Sequence, residues 1–203
     1  GDWTKATVSG WKNVLLENAI TPIQQYSYTT GKNSSDSALI IDAMDILYSG
    51  KVNGFCIVSS DSDFTRLATR LREAGMTVIG FGEKKTPQPF ISACDKFIYL
   101  EILKIPAESE NSIKKKVKSK LKKEPLSKVD FETIRLITES VNDLADESGW
   151  TFLGSLGSYI LKKKPDFDPR NYGFPKLLPL IKNINKFEID ERDSGINNIR
   201  HIY

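Results

Sequence analysis

The chain has 203 residues, of which 39% are hydrophobic, and a formal net charge of +3. This length fits one large or two small domains, and no apolar run approaches the roughly 18 residues that span a membrane. The single histidine is His201, and the cysteines are Cys56 and Cys94. Catalysis by a histidine triad is therefore almost excluded, and metal chemistry has to depend on carboxylates. We expect both cysteines to be reduced core residues of an intracellular, cytoplasmic protein.

The segments of the first half alternate between helical and strand patterns. Apolar spacing predicts helices at 7–19, 36–48 and 64–74 and a helical turn at 90–94, and composition predicts strands at 20–28, 55–58, 76–81 and 97–103. The strand at 55–58 is apolar throughout, which predicts burial on both faces of a sheet. Alternating strands and helices with short connections indicate a parallel sheet covered by helices.

Two carboxylates, Asp61 and Asp63, directly follow the strand at 55–58. Ligands of open α/β sheets bind beyond the carboxyl ends of the strands, and paired carboxylates attract cations such as Mg²⁺ or Mn²⁺. Asp63 is also a plausible N-cap for the helix at 64–74. The alternative is that Asp63 only caps this helix and Asp61 only fills a turn, because the spacing alone is a weak signal.

The positive charge is concentrated in the middle of the chain. Residues 105–125 contain 7 basic and 3 acidic side chains, whereas residues 1–104 contain 11 of each and residues 126–203 contain 11 and 12. The segment 104–126 has two prolines and few aliphatic residues, which predicts a basic linker or an exposed helix. It is either a solvated tether or a segment that contacts a phosphate backbone without sequence specificity.

A second, small domain is predicted after this segment. Periodicity predicts helices at 131–148, 153–163 and 175–183, followed by strands at 187–189 and 198–202 around a turn at 193–195. Three helices and a hairpin in fewer than 80 residues are typical of the winged-helix variant of helix-turn-helix.

Three segments of the first half resemble the NYN domain of the LabA-like group, which belongs with the PIN-like nucleases. They are Asp36–Ala43, Ile57–Phe64 and Leu71–Gly80, in the family's order and spacing. The resemblance implies a PIN-like parallel sheet with helices on both faces. It also implies a metal-dependent ribonuclease site, in which Asp36, Asp61 and Asp63 are the catalytic and metal-binding residues for Mg²⁺ or Mn²⁺. Asp42 matches a position that we interpret as structural.

The chain departs from this family at its beginning. The family's domain starts with a strand that ends in an Ile-Asp-x-x-Asn motif and supplies another carboxylate, and no such segment is present. We therefore expect the N-terminal strand to be missing from this chain and its NYN domain to be incomplete. On this expectation the intact protein is a metal-dependent endoribonuclease, and the chain as printed does not cleave efficiently.

The second domain is similar to an OST-HTH (LOTUS) domain. The resemblance depends on Gly149-Trp150, Leu153–Gly157 and Pro165–Phe174. An NYN domain followed by an OST-HTH domain is a known pairing, so each resemblance supports the other. The predicted organisation is an NYN domain at 1–103, a lysine-rich linker at 104–126 and an OST-HTH winged-helix domain at 127–203.

Basic and aromatic side chains in both domains are candidates for RNA contact. Near the predicted crevice these are Lys32, Lys84 and Lys85, and in the second domain they are Lys162, Lys163, Arg170, Tyr172 and Lys176. Stacking on Tyr172 would suit single-stranded RNA. The alternatives are that each lysine is a solvated charge and that Tyr172 packs in the small core.

Two functions from different classes follow. The first is a metal-dependent ribonuclease with an accessory RNA-binding domain. The second is a non-catalytic regulatory protein that binds RNA, or a protein partner through its OST-HTH domain, with no membrane involved. A Rossmann nucleotide-binding protein is disfavoured, because Gly80 and Gly82 do not belong to a GxGxxG motif. The sequence does not determine the oligomeric state.

Overall fold

The computed structural model describes residues 1–8, 10–26, 34–103, 125–193 and 198–202. Contacts between residues divide the chain into two compact units, Gly1–Gly54 and Phe55–Tyr203. Three predicted features lie outside the described residues. They are most of the linker, residues 194–197 at the predicted hairpin turn, and Lys32. No helix within the described ranges is long and apolar enough to cross a membrane.

The first unit is helical. A 3-10 turn at Ala6–Val8 precedes the helices α1 (Trp11–Glu17) and α2 (Ser34–Tyr48). The strand predicted at 20–28 is wrong for residues 20–26, which have no regular structure. The physical reason is a pair of long-range contacts. The Trp3 indole N–H and the terminal amine of Gly1 donate to the carbonyl of Ile23 at 2.9 and 3.0 Å, so this segment bonds to the chain terminus instead of to a strand.

The second unit begins with a three-stranded parallel sheet, as predicted. Its strands β1 (Gly54–Val58), β2 (Thr77–Gly82) and β3 (Lys96–Tyr99) lie in the order β1-β2-β3. Helix α3 (Thr65–Glu73) connects β1 to β2, and helix α4 (Gln88–Ala93) connects β2 to β3. Strand β3 is shorter than predicted, because residues 100–102 form a 3-10 turn.

The core beside this sheet is apolar and aromatic. Helix α3 buries Leu67, Ala68 and Leu71, which recur on one helical face. The Phe97 ring meets Phe90 edge-to-face, with ring centroids 6.1 Å apart at an angle of 83°. These contacts hold α3 and α4 against the sheet and thereby order the loops at its carboxyl end.

Strand β1 is not buried on both faces, so that prediction is wrong. Ile57 is 6% exposed, whereas Val58 is 66% exposed and Cys56 is also exposed. Side chains alternate between the two faces of a strand, and only one face of β1 is covered within the described residues. Cys56 is therefore not a core residue. Cys94 is buried as predicted, and this burial raises the pKa of its thiol to about 11.

The remainder of the second unit has the winged-helix arrangement. It consists of helices α5 (Phe131–Leu144), α6 (Leu153–Lys163) and α7 (Leu177–Ile184), and of strands β4 (Thr151–Phe152), β5 (Ile189–Asp193) and β6 (Asn198–Ile202). These strands form an antiparallel sheet in the order β4-β6-β5. Its core is formed by aliphatic residues together with the rings of Phe167 and Tyr172; the aliphatic members are Ile137, Val141, Leu156, Ile160, Leu180, Ile181 and Ile202. The short strand β4 was not predicted.

The close approach of β2 to its neighbours generates a stability prediction. A Cβ atom on Gly82 would lie 2.6 Å from the carbonyl oxygen of Ser59 and 2.8 Å from the Phe97 ring. Because a backbone carbonyl has little room to move, we expect Gly82→Ala to lower the free energy of unfolding by roughly 1–3 kcal/mol. Urea denaturation followed by circular dichroism measures this change.

The matched control is Gly157→Ala in the interior of α6. Its Cβ atom would lie 3.5 Å from Leu177, an ordinary van der Waals contact. Replacing a helical glycine by alanine stabilises a helix by about 0.5–1 kcal/mol, so this variant should be at least as stable as the parent. Equal stability of the Gly82 variant and the parent would contradict the tight packing described here.

Candidate active site and nucleic-acid interface

Asp61 and Asp63 lie in the loop beyond the carboxyl end of β1, and both are exposed. The Ser59 hydroxyl oxygen accepts a hydrogen bond from the N–H of Asp61 at 3.0 Å. Oδ1 of Asp61 then accepts the N–H of Asp63 at 2.9 Å. Each polar side chain thus bonds to the backbone two residues ahead, which fixes the loop while leaving two carboxylates at the surface.

The residue that caps the following helical segment is Asp61. It is the N-cap of the 3-10 turn Ser62–Phe64, which leads directly into α3, and Asp63 lies inside that turn. The prediction that Asp63 is the N-cap is therefore wrong. The helical segment begins two residues earlier than predicted, so the side chain that precedes its first N–H groups belongs to Asp61.

The loop after β2 is bonded to the loop after β1. The Ser60 hydroxyl oxygen accepts the N–H of Glu83 at 2.9 Å, and the carbonyl of Phe81 accepts the N–H of Ser59 at 2.8 Å. Glu83 thereby joins the acidic edge of the sheet. Sequence reasoning missed this residue, although it follows β2 much as Asp61 follows β1.

The donor chemistry of this loop fits a hard divalent cation. The described residues contain no group of three or more His, Cys, Asp or Glu side chains that could hold a metal ion. Mg²⁺, however, is commonly bound by one or two carboxylates and several waters, and Asp61 and Asp63 provide two. Asp36 lies in the first turn of α2 in the first unit. Its grouping with Asp61 and Asp63 stays a prediction.

The two described lysines predicted near the crevice both have protein partners. The Lys85 ammonium lies 2.6 Å from a carboxylate oxygen of Glu83, and this hydrogen bond raises the pKa of Lys85. The Lys84 ammonium donates to the carbonyl of Leu126 at 2.8 Å. In this conformation, Lys84 connects the sheet to the start of the winged-helix part and is committed to that contact.

Two of the cationic candidates in the winged-helix part are paired with carboxylates. The Lys163 ammonium lies 2.6 Å from Asp143 and also above the Tyr159 ring, 4.7 Å from its centroid. Arg170 donates from two nitrogens to the two oxygens of Asp168, at 2.9 and 2.6 Å. Burial acts to raise the pKa of Asp168, but the hydrogen bonds and charge of Arg170 lower it overall.

Lys162 and Lys176 differ from these two cations. Lys162 lies in the last turn of α6 and Lys176 immediately precedes α7, and both are exposed. Neither forms an ion pair with another described residue. An exposed lysine without an internal partner keeps its charge available for a phosphate, so these two are the stronger candidates for RNA contact in this part.

Tyr172 packs in the core of the winged-helix part. It is 8% exposed, its hydroxyl oxygen accepts a hydrogen bond from the Thr133 hydroxyl at 3.1 Å, and its ring centroid lies 5.9 Å from that of Phe167. Of the two alternatives that the sequence left open, the structure favours core packing. A base has no access to this ring without local unfolding.

The fold and the site together define a class of protein: an α/β domain with carboxylates beyond its strand ends, followed by a winged-helix domain. Family comparisons match both parts, the NYN domain over residues 1–101 and the OST-HTH/LOTUS domain over residues 124–199. The chain therefore belongs to the proteins that carry an NYN domain followed by an OST-HTH/LOTUS domain. The first is a nuclease-type domain and the second an RNA-binding domain. Membership of the LabA-like group stays a prediction.

One similar structure is an uncharacterized protein of Nitrosomonas europaea solved by solution NMR. It is 28% identical, and the match covers 44% of the present chain and 87% of that protein, with a TM-score of 0.35. A TM-score this low does not establish a shared fold. No protein with a curated description matches the chain.

The two roles of Asp61, capping and presentation of charge, can be separated by substitution. Asp61→Ala removes the acceptor for the Asp63 N–H and should lower the free energy of unfolding by about 0.5–2 kcal/mol. Asp61→Asn retains a cap acceptor and should stay close to the parent in stability, while it loses the negative charge. Thermal unfolding of both variants measures the difference, and equal losses in the two would contradict the capping role.

Proposed function

We propose that this protein is a metal-dependent ribonuclease that cleaves RNA phosphodiesters, with its OST-HTH domain as an accessory RNA-binding domain. The observation that carries the proposal is the loop after β1, where backbone hydrogen bonds fix Asp61 and Asp63 with exposed carboxylates. An acidic loop at this edge of an NYN domain is suited to phosphodiester chemistry. We further propose single-stranded RNA as the substrate, internal cleavage, and a cytoplasmic location.

In the proposed mechanism Asp61 and Asp63 hold Mg²⁺ or Mn²⁺, with Asp36 as the third carboxylate. The ion, when bound, neutralises charge on the scissile phosphate and activates the attacking water. The protein's own contribution is positional: the Ser59 hydroxyl holds the backbone N–H of Asp61, and the N–H of Asp63 holds the Asp61 carboxylate, before substrate arrives. A carboxylate that is not coordinated at a given moment can accept the proton of the water.

Covalent catalysis is not part of the proposal. The buried Cys94 thiol has a pKa of about 11, far above neutral pH, because of its burial. A thiol is a poor nucleophile when it is protonated. Hydrolysis by water is the simpler route for a site built from carboxylates.

A non-catalytic RNA-binding regulator is the second candidate. It is favoured by the absence of a group of three acidic side chains able to hold a metal among the residues that the structure describes. In that case the exposed lysines of the winged-helix domain would carry the function, and Asp61 would serve only as a cap. A protein partner for the OST-HTH domain belongs to this candidate.

Cleavage of RNA by the protein distinguishes the two candidates. We expect labelled single-stranded RNA to be cut with Mn²⁺ or Mg²⁺, chelator to abolish cleavage, and Asp61→Asn/Asp63→Asn to lower the rate at least about 100-fold, because charge stabilisation at a phosphate contributes on this order. Gel analysis of the RNA fragments measures the cleavage rate. Glu132→Gln/Glu147→Gln, at exposed positions of the winged-helix domain, is the control. Chelator-insensitive cleavage, or equal cleavage by the Asp61/Asp63 variant, would refute the ribonuclease proposal.

RNA binding by the winged-helix domain has its own test. Lys162→Gln/Lys176→Gln should weaken binding to single-stranded RNA and reduce the slope of log K against log salt by about 0.7 per lost phosphate contact. Fluorescence anisotropy at several salt concentrations measures this slope. Lys128→Gln, another exposed lysine, should leave it unchanged. An unchanged slope in the double variant would mean that RNA binds elsewhere.

A further inference from the structure

A groove open to solvent lies in the second unit between strand β3, helix α6 and the start of α7, and we call it the α6 groove. Its volume is about 330 Å³, which falls in the lower part of the range of roughly 300–1,000 Å³ for ligand pockets. The lining is mainly apolar and includes Leu153, Leu161, Phe167 and Leu177. A groove of this size and lining suits a small, largely apolar group.

One wall of the α6 groove contains a glycine that packing does not require. Gly157 lies inside α6, where glycine is less favourable than alanine. A Cβ atom on Gly157 would meet only Leu177, at the ordinary contact distance of 3.5 Å. Glycine also permits a ligand to approach the backbone closely, and a ligand in the groove would give this glycine a reason.

Aromatic rings lie at two places beside this wall. Phe152 precedes α6 and is 44% exposed, and its ring lies against Gly154, whose Cβ atom would come within 2.7 Å of it. Gly154 lines the groove, and so does the buried Phe167. Aromatic faces are the surfaces on which proteins stack the bases of single-stranded nucleic acids. Phe152 was not among the residues predicted from the sequence.

The charged side chains that line the groove are Lys96 and Asp168. Arg170 donates from two nitrogens to the two oxygens of Asp168, at 2.9 and 2.6 Å. Burial acts to raise the pKa of Asp168, but Arg170 and, to a smaller extent, the charge of Lys96 lower it overall. Two cations therefore face one carboxylate here, and the balance of charge is positive.

Two further cations adjoin the groove in the chain. Lys162 follows the lining residue Leu161, and Lys176 immediately precedes the lining residue Leu177. Both lysines are exposed and neither forms an ion pair with another described residue. An apolar groove with cations on two neighbouring elements matches a nucleotide, which joins a flat base to an anionic phosphate.

We propose that the α6 groove binds one unstacked base of a single-stranded RNA, with the neighbouring phosphates on Lys162 and Lys176. The absence of a side chain at Gly157 admits the base to the surface of α6, and the apolar side chains exclude water from its faces. Recognition by stacking tolerates different bases. This inference rests on the proposed RNA-binding role of the winged-helix domain and adds a base-binding site to it.

The first test fills the groove with a side chain. Both the parent and the variant carry Asp61→Asn/Asp63→Asn and are kept in chelator, so that RNA is not cut. Gly157→Leu should raise the Kd for a short fluorescein-labelled oligouridine at least about fivefold, the loss expected for one stacked base. The slope of log K against log salt should not change, because the lysines that contact phosphates remain. Fluorescence anisotropy measures both quantities.

The matched control adds the same side chain to the same helix outside the groove. Ser155 is exposed on α6 and does not line the groove, so Ser155→Leu should bind oligouridine as the parent does. Binding by Gly157→Leu that equals the parent overturns the inference while leaving the RNA-binding role intact.

A strand of the same length without bases separates base contact from phosphate contact. The parent should bind this abasic strand at least about fivefold more weakly than oligouridine. Gly157→Leu should bind the abasic strand as the parent does, because there is no base to exclude. Equal binding of both strands by the parent overturns the inference. Binding of neither strand overturns it together with the RNA-binding role, and leaves a protein as the occupant of the groove.

Crosslinking keeps the test decisive if Gly157→Leu does not fold. Oligouridine that contains 4-thiouridine is irradiated with the parent, and mass spectrometry then locates the attached base. We expect crosslinks in peptides that contain residues 153–161 or 167–177, which supply the walls of the groove. Crosslinks confined to other segments overturn the inference.

Discussion

The packing of β2 beside β1 is the constraint on which the rest of the second unit depends. Gly82 brings the end of β2 so close to Ser59 that no side chain fits between them. At the same place the Ser60 hydroxyl accepts the N–H of Glu83. This contact joins the two loops that carry the acidic side chains at one edge of the sheet. The catalytic proposal thus rests on a backbone approach that only glycine permits.

The same sheet positions the winged-helix domain through its last strand. Phe97 contributes its ring to the sheet core and its N–H to the carbonyl of Pro165, so one residue connects core packing to the domain contact. Lys84 adds a second connection, because its backbone N–H bonds to Glu101 and its ammonium to Leu126. The two domains are therefore more closely coupled than a lysine-rich linker suggests.

Much of the fold could be predicted because it depends on periodicity. The helix at 153–163 and the parallel order of strands both follow from the spacing of apolar residues. Two errors arose where long-range contacts decide. Residues 20–26 bond to the first residues of the chain, and only one face of β1 is covered within the described part. Sequence composition contains no information about which partner a strand-like segment meets.

In the candidate site, the residue types could be predicted from the sequence, but the role of each residue could not. The carboxylates after β1 could be found from sequence because ligands of open α/β sheets bind beyond the carboxyl ends of the strands. Which carboxylate caps the helical segment depends on where its first turn begins, and the observed cap is Asp61. Tyr99 and Asp166 lie 67 residues apart in the chain, and their hydrogen bond forms only once the winged-helix part meets strand β3. No sequence pattern in either segment predicts that contact.

Ion pairs within the protein determine which of its basic residues are available to bind RNA. A lysine count treats Lys85, Lys163 and Lys162 as equal, whereas the first two already face carboxylates at 2.6 Å. A phosphate that recruits a paired lysine has to replace an existing ion pair, so its net gain is small. A phosphate that meets Lys162 or Lys176 releases only water and counterions. Affinity for RNA in this domain is therefore expected from a minority of its cations, and the neutral overall balance of the domain is no argument against binding.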